Sequence, residues 1–255
     1  MNKQPESYDP IVSVIIPCYN MKRFIFDSMR SVVRQTFRDW EMILVDDGST
    51  DGTYEFIKSL SDSDYRIKHA TKAHTGIADT RNQCIQMAQG RYLAFLDADD
   101  YWHNSKLEVQ LEFMRDRKLG FSYTAYDCVN EEGETVVRSI KTAGDLDYNA
   151  YLHNTIIGCS TVMIDRDQVG NVVVPNFRTS EDSATWLKIL RKGFKAYAIE
   201  RPLTYYRIRS RSASSNKLQA TADLWRVYRK QEKLPIMDAM NCFVSYAFNA
   251  VKKRL

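Results

Sequence analysis

Apolar residues follow two rhythms along this chain. Short continuous runs at 12–16, 42–45 and 92–96, each ending in turn-forming or acidic residues, read as buried strands. Between the first two, Phe24, Met29, Val32, Val33 and Phe37 recur at helical spacing. A second helix is predicted to begin near Ser49 or Thr50, with acidic residues in its first turn. Ile77, Arg81, Cys84, Ile85 and Ala88 predict a third, closed by Gly90 in the left-handed position that caps helices. Strand, helix, strand, helix, helix, strand implies βαβ units and a mostly parallel α/β sheet flanked by helices.

The pattern is plainer in outline than in detail further along. A helix is predicted over 107–114, a strand over 121–126, a hairpin over 129–137 and a strand over 158–164. Ser183, Trp186, Leu187 and Leu190 mark a helix ending at Gly193, with Trp186 read as core, and 219–234 marks another. From Asp238 onward, Met240, Phe243, Val244, Ala247, Phe248 and Val251 share one helical face, followed by Lys252-Lys253-Arg254. Such a face suits an anionic membrane surface, the body of the protein or a second subunit.

Three strands deliver polar clusters at their carboxyl ends, at 17–20, 46–49 and 97–100. Ligands of open α/β sheets bind at that edge. Asp97-Ala98-Asp99 sets two carboxylates one residue apart where a strand leaves the core. Such a pair is costly without a cation, and a hard divalent ion beside a phosphorylated substrate supplies one. An isolated Asp-x-Asp also fits a turn or helix start. Glu181-Asp182 follows Thr179, and the spacing Thr179-x-x-Asp182 fits a helix capping box. A carboxylate at a helix start is expected to have a lowered pKa.

The ordered strings VSVIIPCYN, QTFRDWEMILVDDGSTDGT, HTGIADTRN and GRYLAFLDADD resemble glycosyltransferase family 2, of the bacterial surface-polysaccharide type. The resemblance is dense over 11–111, and returns at Thr179-Ser180-Glu181-Asp182 and Tyr205-Tyr206-Arg207-Ile208. It implies a GT-A fold over 1–216, a helical C-terminal extension over 217–255, and inverting transfer of a sugar from a nucleoside diphosphate, UDP by expectation. Pro17 and Tyr19 would lie against the base. Asp47 or Asp46 would accept from the pyrimidine, whose imide N–H needs an acceptor. Arg81 would meet the diphosphate, and Ala98 and Arg207 would belong to the donor-binding residues. Asp97 would stand near the ribose or metal, Asp99 on a Mn²⁺ or Mg²⁺ ion, and Asp182, beside Glu181, would act as base. The basic, hydroxyl-rich stretch 207–217 reads as a loop over the diphosphate or as a solvated linker. Similar proteins often carry Tyr-Arg-x-His there, and this chain has Arg209 in place of the His.

Composition narrows the alternatives. With 255 residues, 44% hydrophobic, the chain can bury a full core. A net charge of +4, without a long basic block in the core, gives no nucleic-acid stripe. Five cysteines in no C-x-x-C or Cys/His pattern suggest neither a disulfide framework nor zinc, which fits a reducing cytoplasmic setting. The polar start argues against a signal peptide, and no apolar run approaches a membrane span. The apolar, basic-ended tail, together with the family resemblance, implies peripheral attachment to the inner face of the cell membrane. His103 and His153 read as packed or surface residues. Expected partners are a nucleotide sugar and a glycan or lipid-linked glycan acceptor. The competing readings are a non-catalytic nucleotide-binding or scaffolding subunit and a sugar-phosphate nucleotidyltransferase. The latter lacks its glycine-rich signature here.

Overall fold

The computed structural model describes residues 8–210 and 217–252. The predicted strands form as β1 (Val12–Cys18), β2 (Trp40–Asp46) and β4 (Tyr92–Phe95). Another, β3 (Ile67–Thr71), follows β2 in the chain and forms the edge strand beside it. The apolar pattern misses it because Lys68, His69 and Thr71 interrupt the run at the edge of the sheet. β1 pairs in parallel with β2 and β4, and β2 with β3. Helices α1 (Ile25–Val33), α2 (Thr53–Ser61) and α3 (Ile77–Met87) are the crossovers.

Beyond β4 the sheet becomes mixed. β8 (Met163–Asp165) runs antiparallel to β4, and β6 (Phe121–Val129) antiparallel to β8. β9 (Tyr197–Arg207) lies parallel to β6, and two-residue β5 (Tyr101–Trp102) closes the edge. The predicted hairpin is β6 with β7 (Thr135–Ile140). The strand expected over 158–164 is shorter. Cys159–Thr161 form a 3₁₀ turn, closed by the Thr161 N–H and hydroxyl donating to the Gly158 carbonyl, before β8 begins.

The parallel strands are covered on both faces, which is why they read as unbroken apolar runs. Ile15, Ile43, Val45 and Phe95 face α3 and α7 (Glu181–Leu190), where Trp186 is buried against Phe95 and Phe121. Val14, Ile16, Met42 and Leu44 face α1 and α4 (Lys106–Arg117), whose Ile25, Met29 and Val32 and Leu107, Leu111 and Met114 keep helical spacing. Phe37, expected on the first helix, lies past its end.

At the amino ends of the parallel strands, the buried Glu41 carboxylate ties four segments. It accepts from the Ser13 hydroxyl (2.6 Å) and from the backbone N–H groups of Gln89 (2.6 Å) and Gly90 (3.2 Å), and it pairs with Lys68 (2.6 Å). Gly90 is not the left-handed cap expected of it. Helix α3 ends at Met87, with Ala88 already extended. Gly90 is needed because a Cβ there would lie 2.8 Å from the Ser13 nitrogen.

Two short helices, α5 (Tyr148–His153) and α6 (Arg166–Val169), precede α7. The carboxyl-terminal segment is helical, as expected: α8 (Lys217–Arg226), a π-helical turn (Val227–Gln231) and α9 (Ile236–Lys252). Tyr228 donates to the Leu152 carbonyl, and Glu232 takes bonds from Tyr148 and Arg191, which docks the segment on α5 and α7. The apolar residues of α9 divide differently from the expected single face. Ala239 and Cys242 are buried, and Phe243 packs edge-on against Trp225. Met237, Met240, Val244 and Phe248 are exposed. Among the described residues, no helix is long and apolar enough to cross a membrane.

Candidate active site

The carboxyl ends of β1, β2 and β4 and the start of α7 surround a cavity of about 820 Å³. Pro17 and Tyr19 leave β1 along one wall, and the Tyr19 ring stacks on the His74 ring with centroids 4.2 Å apart. His74 sits on a loop organised by Asp47. The two Asp47 oxygens accept from Lys72 (2.6 Å) and from the N–H groups of Thr75 (3.0 Å) and Gly76 (2.9 Å), and His74 lies 2.8 Å away. Burial alone would raise the Asp47 pKa, but the Lys72 ammonium and these N–H groups outweigh it and hold the carboxyl below its usual value. Asp46 turns away from the cavity: one oxygen accepts from the Ser49 N–H and the Thr71 hydroxyl. Of the two candidate base acceptors, only Asp47 reaches the cavity wall.

Asp97, Ala98, Asp99 and Asp100 form the floor. Three groups pin this loop, and sequence reasoning singled out only the last of them. Ser28 on α1 donates to the Ala98 and Asp100 carbonyls. The Ser160 hydroxyl accepts from the Asp97 N–H and donates to the Asp100 carboxylate at 2.6 Å. Asp100 is buried, and its pKa rises through burial and the neighbouring Asp99 and Asp97 charges. Arg207 is the third. It lies behind the loop rather than in the cavity, because along β9 Thr204 and Tyr206 face the cavity and alternation turns Arg207 away. Its guanidinium bonds the Asp99 and Glu131 carbonyls and the Asp27 carboxylate, and its N–H bonds Asp100. Arg209, two residues on, does line the cavity, with Nε 2.6 Å from Asp99 Oδ2.

Arg81 is 3% exposed and bridges two walls: one Nη lies 2.8 Å from Asp97 and the other 3.1 Å from Glu181. It is a buried clamp within an acidic cluster, not a solvated helix face. The capping box at α7 does not form. Ser180 makes no side-chain cap, and Thr179 donates instead to Asp223 at 2.9 Å. Asp182 accepts from the adjacent Ser183 N–H, at 2.6 Å. Burial dominates its electrostatics and raises its pKa despite the pull of Arg81, so desolvation overrides the lowering expected at a helix start. Burial likewise lifts Glu181, to about 7, with Arg81 opposing and Asp182 adding.

Asp97 and Asp99 are the residues able to hold a divalent cation. Among the described residues, no three His, Cys, Asp or Glu side chains converge on a metal-sized site. An ion there would complete its shell with substrate and water oxygens. The carboxylate oxygens suit a hard cation, and a cationic side chain already seated on Asp99 shows that the position accepts positive charge. His103 bonds Ser105 and His153 bonds Ser245, both away from the cavity. All five cysteines are free and buried.

The profile of the Glycosyl transferase family 2 matches residues 13–172. The chain is also 48% identical over 251 residues to the putative teichuronic acid biosynthesis glycosyltransferase TuaG of Bacillus subtilis, covering 98% of this chain and 99% of that one.

This protein is a family 2 glycosyltransferase.

The glycosyltransferase is 36% identical, over 95% of both chains, to the Escherichia coli WfaP, named a UDP-Glc:alpha-D-GlcNAc-diphosphoundecaprenol beta-1,3-glucosyltransferase. Among solved structures it resembles S. aureus TarS residues 1–349 in complex with UDP-GlcNAc, with a TM-score of 0.71 at 20% identity, covering 86% of this chain and 64% of that one. It also resembles the Pyrobaculum calidifontis mannosyltransferase PcManGT in complex with GDP-Man and Mn²⁺, with a TM-score of 0.66 at 20% identity, covering 93% and 70%. These likenesses show the GT-A fold. Both named bacterial relatives are glycosyltransferases, one of them named for teichuronic acid biosynthesis. The Glu181-Asp182 pair lies beyond the matched residues and joins the site only through folding.

Proposed function

We propose that the enzyme transfers a sugar from a UDP-sugar, with inversion, to a lipid-linked glycan of a surface polysaccharide. The observation that carries this reading is one cavity holding Tyr19 and Asp47 at one end, Asp97 and Asp99 on the floor, and Glu181 and Asp182 at the start of α7. Tyr19 and His74 offer a stacked platform for a base, and Asp47 stands beside it. Asp97 and Asp99 would hold Mn²⁺ or Mg²⁺, which when bound neutralises charge on the departing diphosphate.

The acceptor hydroxyl attacks the anomeric carbon and forms a C–O bond as the bond to the diphosphate oxygen breaks. The diphosphate leaves with the electron pair. Asp182 takes the hydroxyl proton: its carboxylate lines the cavity, no cation among the described residues pairs with it, and desolvation makes it more basic. Glu181 engages Arg81 at 3.1 Å and thereby orients Asp97, a positioning role.

The same reading places the enzyme on the cytoplasmic face of a membrane, with 217–255 as an extension that binds the lipid surface. Met237, Met240, Val244 and Phe248 form an uncovered apolar stripe on α9, and the sequence continues into Lys252-Lys253-Arg254.

Two measurements test these statements. Thermal unfolding against UDP, GDP and CDP with and without Mn²⁺ should give a metal-dependent shift with UDP, lost in Asp99→Ala. Equal curves for all three would sink the donor assignment. Co-sedimentation with phosphatidylglycerol vesicles should exceed that with phosphatidylcholine and drop in Met240→Ser/Phe248→Ser. No vesicle binding by the wild type would remove the membrane role.

A further inference from the structure

Arginines 207 and 209 sit two residues apart and are held in opposite ways. Arg207 is fully committed, with its N–H, Nε and both Nη groups each bonded to a defined acceptor. Among the described residues, Arg209 has one anionic contact, Nε to Asp99 Oδ2 at 2.6 Å. That approach is short but off the N–H axis, so the buried Nε makes no hydrogen bond. The remaining contact is with an aromatic face, its Cζ lying 5.5 Å from the Phe24 ring centre. Both Arg209 and Asp99 line the cavity, with their side chains 15% and 16% exposed. A mostly desolvated guanidinium with an unmet donor, resting on the carboxylate best placed for a metal, is a cation between partners.

We propose that Arg209 is a ligand of the donor diphosphate that rests on Asp99 until the diphosphate arrives, so that metal and diphosphate bind cooperatively through it. This rests on the donor reading above and adds a residue and a coupling to it. Without diphosphate, Arg209 and the divalent ion compete for Asp99, which weakens the metal alone. A diphosphate offers Arg209 more acceptors, arranged for its planar fork. When Arg209 moves to it, Asp99 is released to the ion. Binding of each ligand removes an obstacle to the other, and the coupling must be reciprocal.

The consequence is an inversion of sign that a merely structural arginine would not produce. Arg209→Ala should bind Mn²⁺ alone about tenfold tighter, because one competitor for a mostly desolvated carboxylate is gone. The same variant should bind UDP in saturating Mn²⁺ about tenfold more weakly, having lost a charge-assisted contact. Free Mn²⁺ is read by electron paramagnetic resonance, UDP by isothermal titration calorimetry, and folding by thermal unfolding. Arg209→Lys, which keeps the charge, should fall between wild type and Arg209→Ala on both axes, and it guards against a folding defect in the alanine variant.

Opposite shifts in the two affinities support the proposal. Weakening of both, or no change in either, while the wild type still binds UDP with Mn²⁺, overturns it and leaves the donor reading standing. A wild type that binds no nucleoside diphosphate with Mn²⁺ overturns both.

Discussion

Lys106 offers a quantitative test of the packing beneath the site. It opens α4 and is wholly buried; its ammonium donates to Gln110 Oε1 at 2.8 Å and lies 4.0 Å from the Trp102 ring centre. No carboxylate pairs with it among the described residues. Burial lowers its pKa from 10.5 to about 7, a displacement that corresponds to about 5 kcal/mol against the charged form. The sign follows from proton uptake. Between pH 7 and 10.5 the unfolded chain holds this proton more tightly than the folded one, so Lys106 makes stability rise with pH. Below about 7 both states carry the proton and the cost is constant. Lys106→Met, of similar volume, removes that dependence but leaves Gln110 Oε1 without its donor, at a pH-independent cost of about 1–3 kcal/mol. The stability of the variant relative to wild type should therefore fall by about 3 kcal/mol from pH 6.5 to 9.5, with Lys106→Met the more stable protein at the lower pH. Urea unfolding with linear extrapolation at several pH values reads this directly. Parallel stability curves for the two proteins would refute the argument, since they would mean that the ammonium is solvated or paired in the folded state.

Asp182→Asn should lower kcat by about 10²–10⁴-fold while leaving UDP affinity unchanged, and Glu181→Gln should cost less, because the Glu181 contact is with Arg81; equal losses would return the base role to the pair. Because burial raises Asp182 and lifts Glu181 to about 7, kcat should fall on the acid side at a pH above the ordinary aspartate range; a profile that stays flat down to that range would contradict the buried base. Gly90→Ala should destabilise by about 1–3 kcal/mol through collision with the Ser13 nitrogen, with kcat unaltered in the folded fraction; an unchanged unfolding midpoint would show that the β1–β4 approach can relax.

The apolar runs were enough to read the parallel half of the sheet, because strands covered on both faces leave an uninterrupted signature. β3 was not legible: an edge strand takes Lys68 and Thr71 as easily as Val. Tyr19, Asp47, Asp97, Asp99 and Glu181-Asp182 all meet in one cavity, since each stands where an element begins or ends and there the pattern changes abruptly. The braces were hidden. Ser28 and Ser160 look like any serine until the chain folds, and nothing in Ser28 announces two carbonyls 70 and 72 residues away. Arg207 and Arg209 could not be ranked from sequence, because which one faces the cavity depends on where β9 stops alternating. The signal for His74 was present in HTGIADTRN, but its value as a ring stacked on Tyr19 is a tertiary fact.

The Glu41 junction has a consequence for how this enzyme can change. It joins β1, β2, β3 and the turn into β4 at the edge of the sheet farthest from the cavity. The mutual alignment of the strands is thus anchored where no substrate reaches. The opposite rim can carry crowded carboxylates, exchange a histidine for Arg209, or lose a charge altogether while the strands keep their places. New donors and acceptors can therefore be explored by substitution at one edge, against a foundation that those substitutions leave untouched.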